Sequence, residues 1–200
     1  MPFARVSVIA VALTLLCNSC MADRPDWDPF VRADVAVFDD YDSDVEVTGF
    51  SSDTTSTDYD SIRVAGGAAH FEDGRPTLRL EGFLGRATFA GRTGVDDSDV
   101  TELGLGGRWF VPIASVTVRP YVSLHGVVSL GSTAAGVDPG NEAAVAIGTG
   151  LEFEIASGIA LDASVDYALP FVDSDSDPEG LEVGTGGLAL RLGVVFDVSY

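Results

Sequence analysis

Residues 188–200 read Leu-Ala-Leu-Arg-Leu-Gly-Val-Val-Phe-Asp-Val-Ser-Tyr. Leu188, Leu190, Leu192, Val194, Phe196, Val198 and Tyr200 fall on one parity; Arg191 and Asp197 fall on the other. Successive side chains of a strand point to opposite faces, so this segment reads as a strand with one apolar and one ionic face. No 3.6-residue period fits it.

The same period-2 pattern recurs upstream. It predicts strands at about 30–38, 61–71, 77–89, 100–111, 116–130, 142–155 and 159–169, with the last at 183–200. Sorting each by parity yields an apolar row whose one formal charge is Arg86. The opposite row holds Arg32, Asp34, Arg63, Arg79, Glu81, Glu102, Arg108, Arg119, Glu152, Glu154, Asp162, Asp166, Arg191 and Asp197.

Alternation alone does not say which row faces inward. A soluble barrel buries the apolar row, whereas a membrane barrel shows it to lipid and encloses the ionic one. Three features favour enclosure of the ions. The ionic row also carries many Gly and Ala, which weaken a strand at an open aqueous surface but leave room for long side chains inside a narrow barrel. The basic residues are all Arg, eleven in number, with no Lys; guanidinium suits enclosed, multiply hydrogen-bonded carboxylate pairs. The connections alternate in length. Those at 39–60, 90–99, 131–141 and 170–182 are long, and those at 72–76, 112–115 and 156–158 are short. Long loops at one end and short turns at the other mark outer-membrane barrels. Hydrocarbon offers no hydrogen bonds to an open sheet edge, so the strands must close. The expected fold is all-β: an eight-stranded antiparallel up-and-down transmembrane β-barrel.

Composition agrees. The chain has 200 residues, 46% of them apolar, yet a net charge of −20. So high an apolar content excludes an acidic disordered chain. The charge balance excludes a nucleic-acid binder, which needs a cationic face. Residues 1–22 read as a signal peptide: Arg5, an apolar run from Val6 to Leu16, then small residues, with cleavage after Ala22. The run is too short to span a bilayer. Lipidation at Cys20 is the alternative, although Cys17 stands where a lipobox wants Leu. Residues 23–200 form the barrel domain.

The alternation to a terminal aromatic residue, together with the eight strands and the loop pattern, resembles the small OmpA/OmpX-like eight-stranded outer-membrane proteins. The resemblance covers about residues 27–200 and is one of pattern. It implies residence in the bacterial outer membrane and recognition of Phe196, Val198 and Tyr200 by the barrel-assembly machinery, with Tyr in place of the usual terminal Phe. It also implies contact with outer-membrane lipid and lipopolysaccharide, and a monomer. No cofactor is expected.

The ionic row is the main candidate site. It reads as a salt-bridged interior that holds the barrel shut, with a narrow pore for small solutes as the alternative. A soluble periplasmic binding barrel or lipoprotein is a further alternative. Ser123 and His125 share that row, and a Ser–His pair is a possible nucleophile and base. Their spacing departs from that of lipid A deacylase barrels and their row points away from lipid, so no enzymatic activity is expected. His70, beside a short turn, reads as interfacial. Trp109, Phe110, Phe153, Tyr167, Phe196 and Tyr200 lie near strand ends and suit aromatic girdles. The long loops are acidic. Asp173, Asp175 and Asp177 mimic the start of a calcium loop, but Pro178 and the missing twelfth-position Glu argue against one.

Overall fold

The computed structural model describes residues 26–47, 55–57, 59–89, 98–113, 117–131, 141–172 and 181–198. The signal-peptide reading, both cysteines, Tyr200 and the Asp173, Asp175, Asp177 stretch lie outside the described residues.

Nine strands are present among them: β1 (Trp27–Val47), β2 (Thr55–Thr57), β3 (Tyr59–Glu72), β4 (Arg75–Phe89), β5 (Ser98–Phe110), β6 (Val118–Gly131), β7 (Asn141–Ala156), β8 (Ile159–Val172) and β9 (Leu181–Asp197). The eight long strands pair in chain order, each antiparallel to the next, and β9 returns to β1 to close the barrel. Short β2 pairs only with Tyr41–Ser43 of β1. The long strands run from 13 to 21 residues, more than the roughly 9–11 that cross hydrocarbon at a tilt.

Turn chemistry fixes the short-turn end. Asp73 and Gly74 connect β3 to β4 with φ of 51° and 74°, the pair of positive values that a two-residue hairpin matched to strand twist requires. Trp27 and Asp197 both lie at this end, through the pairings Trp27 with His70 and Asp197 with Phe30.

Two features differ from the sequence expectation. The first strand, for which the partial alternation from Asp39 to Phe50 also offers an extension above the bilayer, continues nine residues beyond Phe38, to Val47, so Asp39, Asp40, Asp42, Asp44 and Glu46 belong to strand backbone rather than to a loop. The reason is a β-bulge. Ala36 pairs with Arg191 and Phe38 with Leu190, leaving Val37 as an extra residue. One extra residue exchanges the two faces of a strand. Above it Asp39 pairs with Ala189 of the inner row and Asp40 with Leu188 of the outer row. A fixed parity count therefore stops at the bulge. The second difference is Phe110, expected in an outward girdle. It packs against Tyr121 at 5.6 Å with the Arg79 guanidinium over its ring, which places it on the inner side.

Orientation is unambiguous. The apolar row faces out: Leu105 is 71% exposed, and Ile147, Leu151, Val165 and Leu192 are exposed beside it. The ionic row faces in: Arg32, Asp34, Arg63, Arg79, Glu81, Glu102, Arg108, Glu152, Asp162 and Arg191 are all buried. This is the reverse of a soluble barrel.

Candidate functional site: the ion-paired barrel interior

Strand alternation alone carries the ionic side chains to the axis, and the inner face of each neighbour makes room for them. Glu81 is paired across the wall with Gly67 on β3 and Gly106 on β5. A Cβ at Gly150 would overlap the Tyr121 ring, and one at Gly104 would overlap Phe83. Small residues in the wall are the steric counterpart of large residues in the lumen.

Glu81 is the hub. Its Oε1 accepts from Arg32 Nη2 at 2.9 Å, Arg108 Nε at 3.1 Å and His125 Nε2 at 2.8 Å. Arg32 also donates to Asp34 on its own strand. Arg108 Nη1 reaches Asp162 Oδ2 at 2.9 Å, while the Tyr121 hydroxyl donates to Asp162 Oδ1 at 2.7 Å. Asp34 links upward to Arg191 Nη1 at 3.2 Å, and Arg191 Nε lies 3.5 Å from Asp166. At the short-turn end Arg79 donates to Glu152 and to Asp197, the latter at 2.7 Å. Arg119 bridges Glu152 and Glu154, each at 3.5 Å. Arg63 and Glu102 pair nearer the long-loop end at 2.8 Å.

The fourteen charges of the ionic row thus meet along the lumen, with Arg108 linking the Glu81 and Glu152 groups and the Arg63–Glu102 pair nearer the long loops. Ten are buried; Arg119, Glu154, Asp166 and Asp197 are half-buried. The buried ten comprise five arginines and five carboxylates. An equal count matters, because an uncompensated buried ion costs several kcal/mol.

Apolar groups frame the ions; the parity reading included their alanines but left out Phe30, Phe83, Val127 and Val195. Phe30, Ala69, Ala160 and Val195 cluster toward the short turns, and Ala65, Phe83, Val127 and Ala146 lie above Glu81. Arginine faces stack on aromatic rings in this frame: Arg63 over Phe83 at 4.6 Å, Arg79 over Phe30 at 4.8 Å and Arg108 over Tyr121 at 4.6 Å. Such contacts favour guanidinium over ammonium. Phe83 stands two residues from Glu81, and Phe30 two from Arg32, so extending the ionic parity by one step finds both.

Ser123 and His125 are both buried in this interior. The imidazole is engaged with Glu81 and edge-on to Phe83 at 5.8 Å. Ser123 Oγ hydrogen-bonds no protein atom among the described residues, His125 included. Phe196 and Val198 sit exposed on the outer row, where the Val198 amide donates to the Pro29 carbonyl at 2.8 Å. Arg86 is exposed on the outer row toward the long-loop end. Among the described residues no cluster of His, Cys, Asp and Glu has the geometry of a metal site.

The solved structures most similar in fold include Neisserial surface protein A. It shares 16% identity, covering 85% of this chain and 97% of that one, with a TM-score of 0.56. A major outer membrane protein from Thermus thermophilus shares 14% identity over 85% of this chain and 99% of that one, with a TM-score of 0.50. The fold is that of a small eight-stranded outer-membrane β-barrel. The outer membrane enzyme PagL also matches, at 14% identity over 84% of this chain and 99% of that one, but its TM-score of 0.49 carries no argument. No protein-family model matches the chain, and no curated protein matches its sequence. Identities this low establish shared architecture alone. What this barrel does must come from its own interior and rims.

Proposed function

We propose that this chain is an integral outer-membrane barrel with a closed, salt-bridged interior and a structural or surface-interaction role. The observation that carries the reading is the burial of the ionic layer. Arg79 and Glu152 are 0% exposed and Arg191 is 1% exposed, so these side chains are closed off from water. An ion crossing this layer would have to displace buried guanidinium–carboxylate pairs. Arg32, Arg79, Arg108 and Arg191 each reach at least two carboxylates on the lumen wall, which makes the layer a cross-brace between distant strands.

In this role the long-loop end faces outward and displays acidic loops. The surrounding partners are outer-membrane lipid and lipopolysaccharide. Phe196, Val198 and Tyr200 serve as the assembly signal, and the barrel works as a monomer without cofactor. Planar-bilayer recording tests the closed interior. The refolded protein should add no stable single-channel openings to the bilayer; discrete, long-lived conductance steps would contradict the reading and favour a pore.

A further inference from the structure

The outer wall at the short-turn end carries an aromatic row with one exposed arginine, Arg75, beside it, and the interior uses neither. Trp27, His70, Leu78 and Trp109 follow one another in a cross-strand row over β1, β3, β4 and β5. Adjacent strands lie about 4.8 Å apart, so the row is about 14 Å wide. The chain has two tryptophans, and they stand at its two ends.

A second bulge shapes the middle of the row. His70 pairs with Leu78 but Phe71 with Pro76, leaving Thr77 as the extra residue. The Thr77 hydroxyl meets His70 Nδ1 at 2.9 Å, and the Trp27 ring tilts across the imidazole at 5.2 Å. Nε2 remains as the second ring nitrogen. Beyond the bulge Arg75 pairs with Glu72, on the face of His70 two residues away. Arg75 is exposed and donates Nη1 to the Ile113 carbonyl at 2.9 Å, which draws its guanidinium from β4 toward the chain leaving Trp109. Among the described residues it forms no ion pair, in a chain of net charge −20. Just inside the row the wall is hydrocarbon-facing: the Trp109 ring lies along Gly107 beside exposed Leu80.

Tryptophan favours the boundary between headgroups and acyl chains, and guanidinium matches phosphate oxygens in a forked, charge-assisted geometry. We propose that this patch binds the phosphodiester headgroup of a membrane phospholipid in the leaflet at the short-turn end. Arg75 takes the phosphate, and Trp27 and Trp109 flank the glycerol and first methylenes with the His70 ring between them. The inference rests on the barrel lying in a bilayer.

The tryptophans make the site self-reporting. The full chain, refolded in uncharged maltoside micelles, is titrated with dioleoylphosphatidylglycerol while intrinsic tryptophan fluorescence is read. The expected result is a saturable change that Arg75→Gln weakens about tenfold, the value of one charge-assisted contact, with Arg75→Lys, which keeps the charge but loses the fork, falling between the two. Inorganic phosphate should leave the signal unchanged. Equal saturation in Arg75→Gln overturns the proposal, as does an equal response to inorganic phosphate. No saturable change in a barrel that still migrates as folded on an unheated gel overturns it too, while leaving the membrane reading in place.

Discussion

Glu81→Leu should lower the barrel's unfolding free energy by about 3–5 kcal/mol, the cost of removing one partner from a buried ion cluster. The carboxylate takes hydrogen bonds from Arg32, Arg108 and His125 on Oε1 and a further one from Arg32 Nε on Oε2. Leucine leaves both guanidiniums at the centre of the lumen, with Asp162 the remaining carboxylate near both, at 4.0 Å from Arg32 and 2.9 Å from Arg108. Arg108→Ala should fall in the same range by the converse route, since it takes the nearest cation from Asp162 and one of three partners from Glu81. Arg119→Ala should cost far less, about 0–1 kcal/mol, because its two contacts are 3.5 Å long and Glu154 is partly solvated. Urea unfolding in vesicles, followed by tryptophan fluorescence, measures all three. Equal stability of Glu81→Leu and the parent barrel would show that the ionic layer does not brace the wall.

The opposite face supplies the second large effect. Leu105→Arg should destabilise the barrel by about 2–4 kcal/mol, the cost of an arginine at the middle of a lipid-facing strand. Leu105 stands four residues from Trp109 at the short-turn rim and four from Thr101 toward the other rim. A side chain placed there has the farthest to reach for water. The natural comparison is Arg86, which pairs with Thr101 on the same outer face near the long-loop rim, where depth dependence makes an arginine cheap. Thr101→Arg should accordingly cost less than Leu105→Arg. If the two cost the same, the exposed aliphatic belt would not be meeting hydrocarbon.

Much of this architecture is written in parity. A strand pointing alternate side chains in opposite directions cannot conceal which of them are ionic, so the closed barrel and the fourteen charges of the ionic row follow from spacing. Orientation needed more than spacing. It came from Gly and Ala keeping company with Arg and Glu, which makes steric sense only where large side chains converge. Parity fails where one residue is inserted. Val37 shifts β1 by one, and the acidic stretch beyond it then reads as a loop although its backbone continues as strand. Thr77 does the same on a smaller scale and brings Arg75 to the outer face beside His70. Which carboxylate each arginine selects was not legible either. Arg79 and Asp197 are 118 residues apart in sequence, and their meeting depends on barrel closure and strand stagger rather than on local pattern. The inward placement of Phe110, by contrast, is local: its parity with Arg108 decides its side, and its position near a strand end does not.

The barrel's central property is that aliphatic side chains meet lipid while charged ones are enclosed. Nitroxide labels at Leu105→Cys and Ile147→Cys, in barrels reconstituted into vesicles, test this directly through collision with molecular oxygen, which concentrates in hydrocarbon, and with a water-soluble nickel chelate. Both labels should collide strongly with oxygen and scarcely with the chelate. Strong chelate collisions at both sites, with oxygen no better than in water, would contradict it.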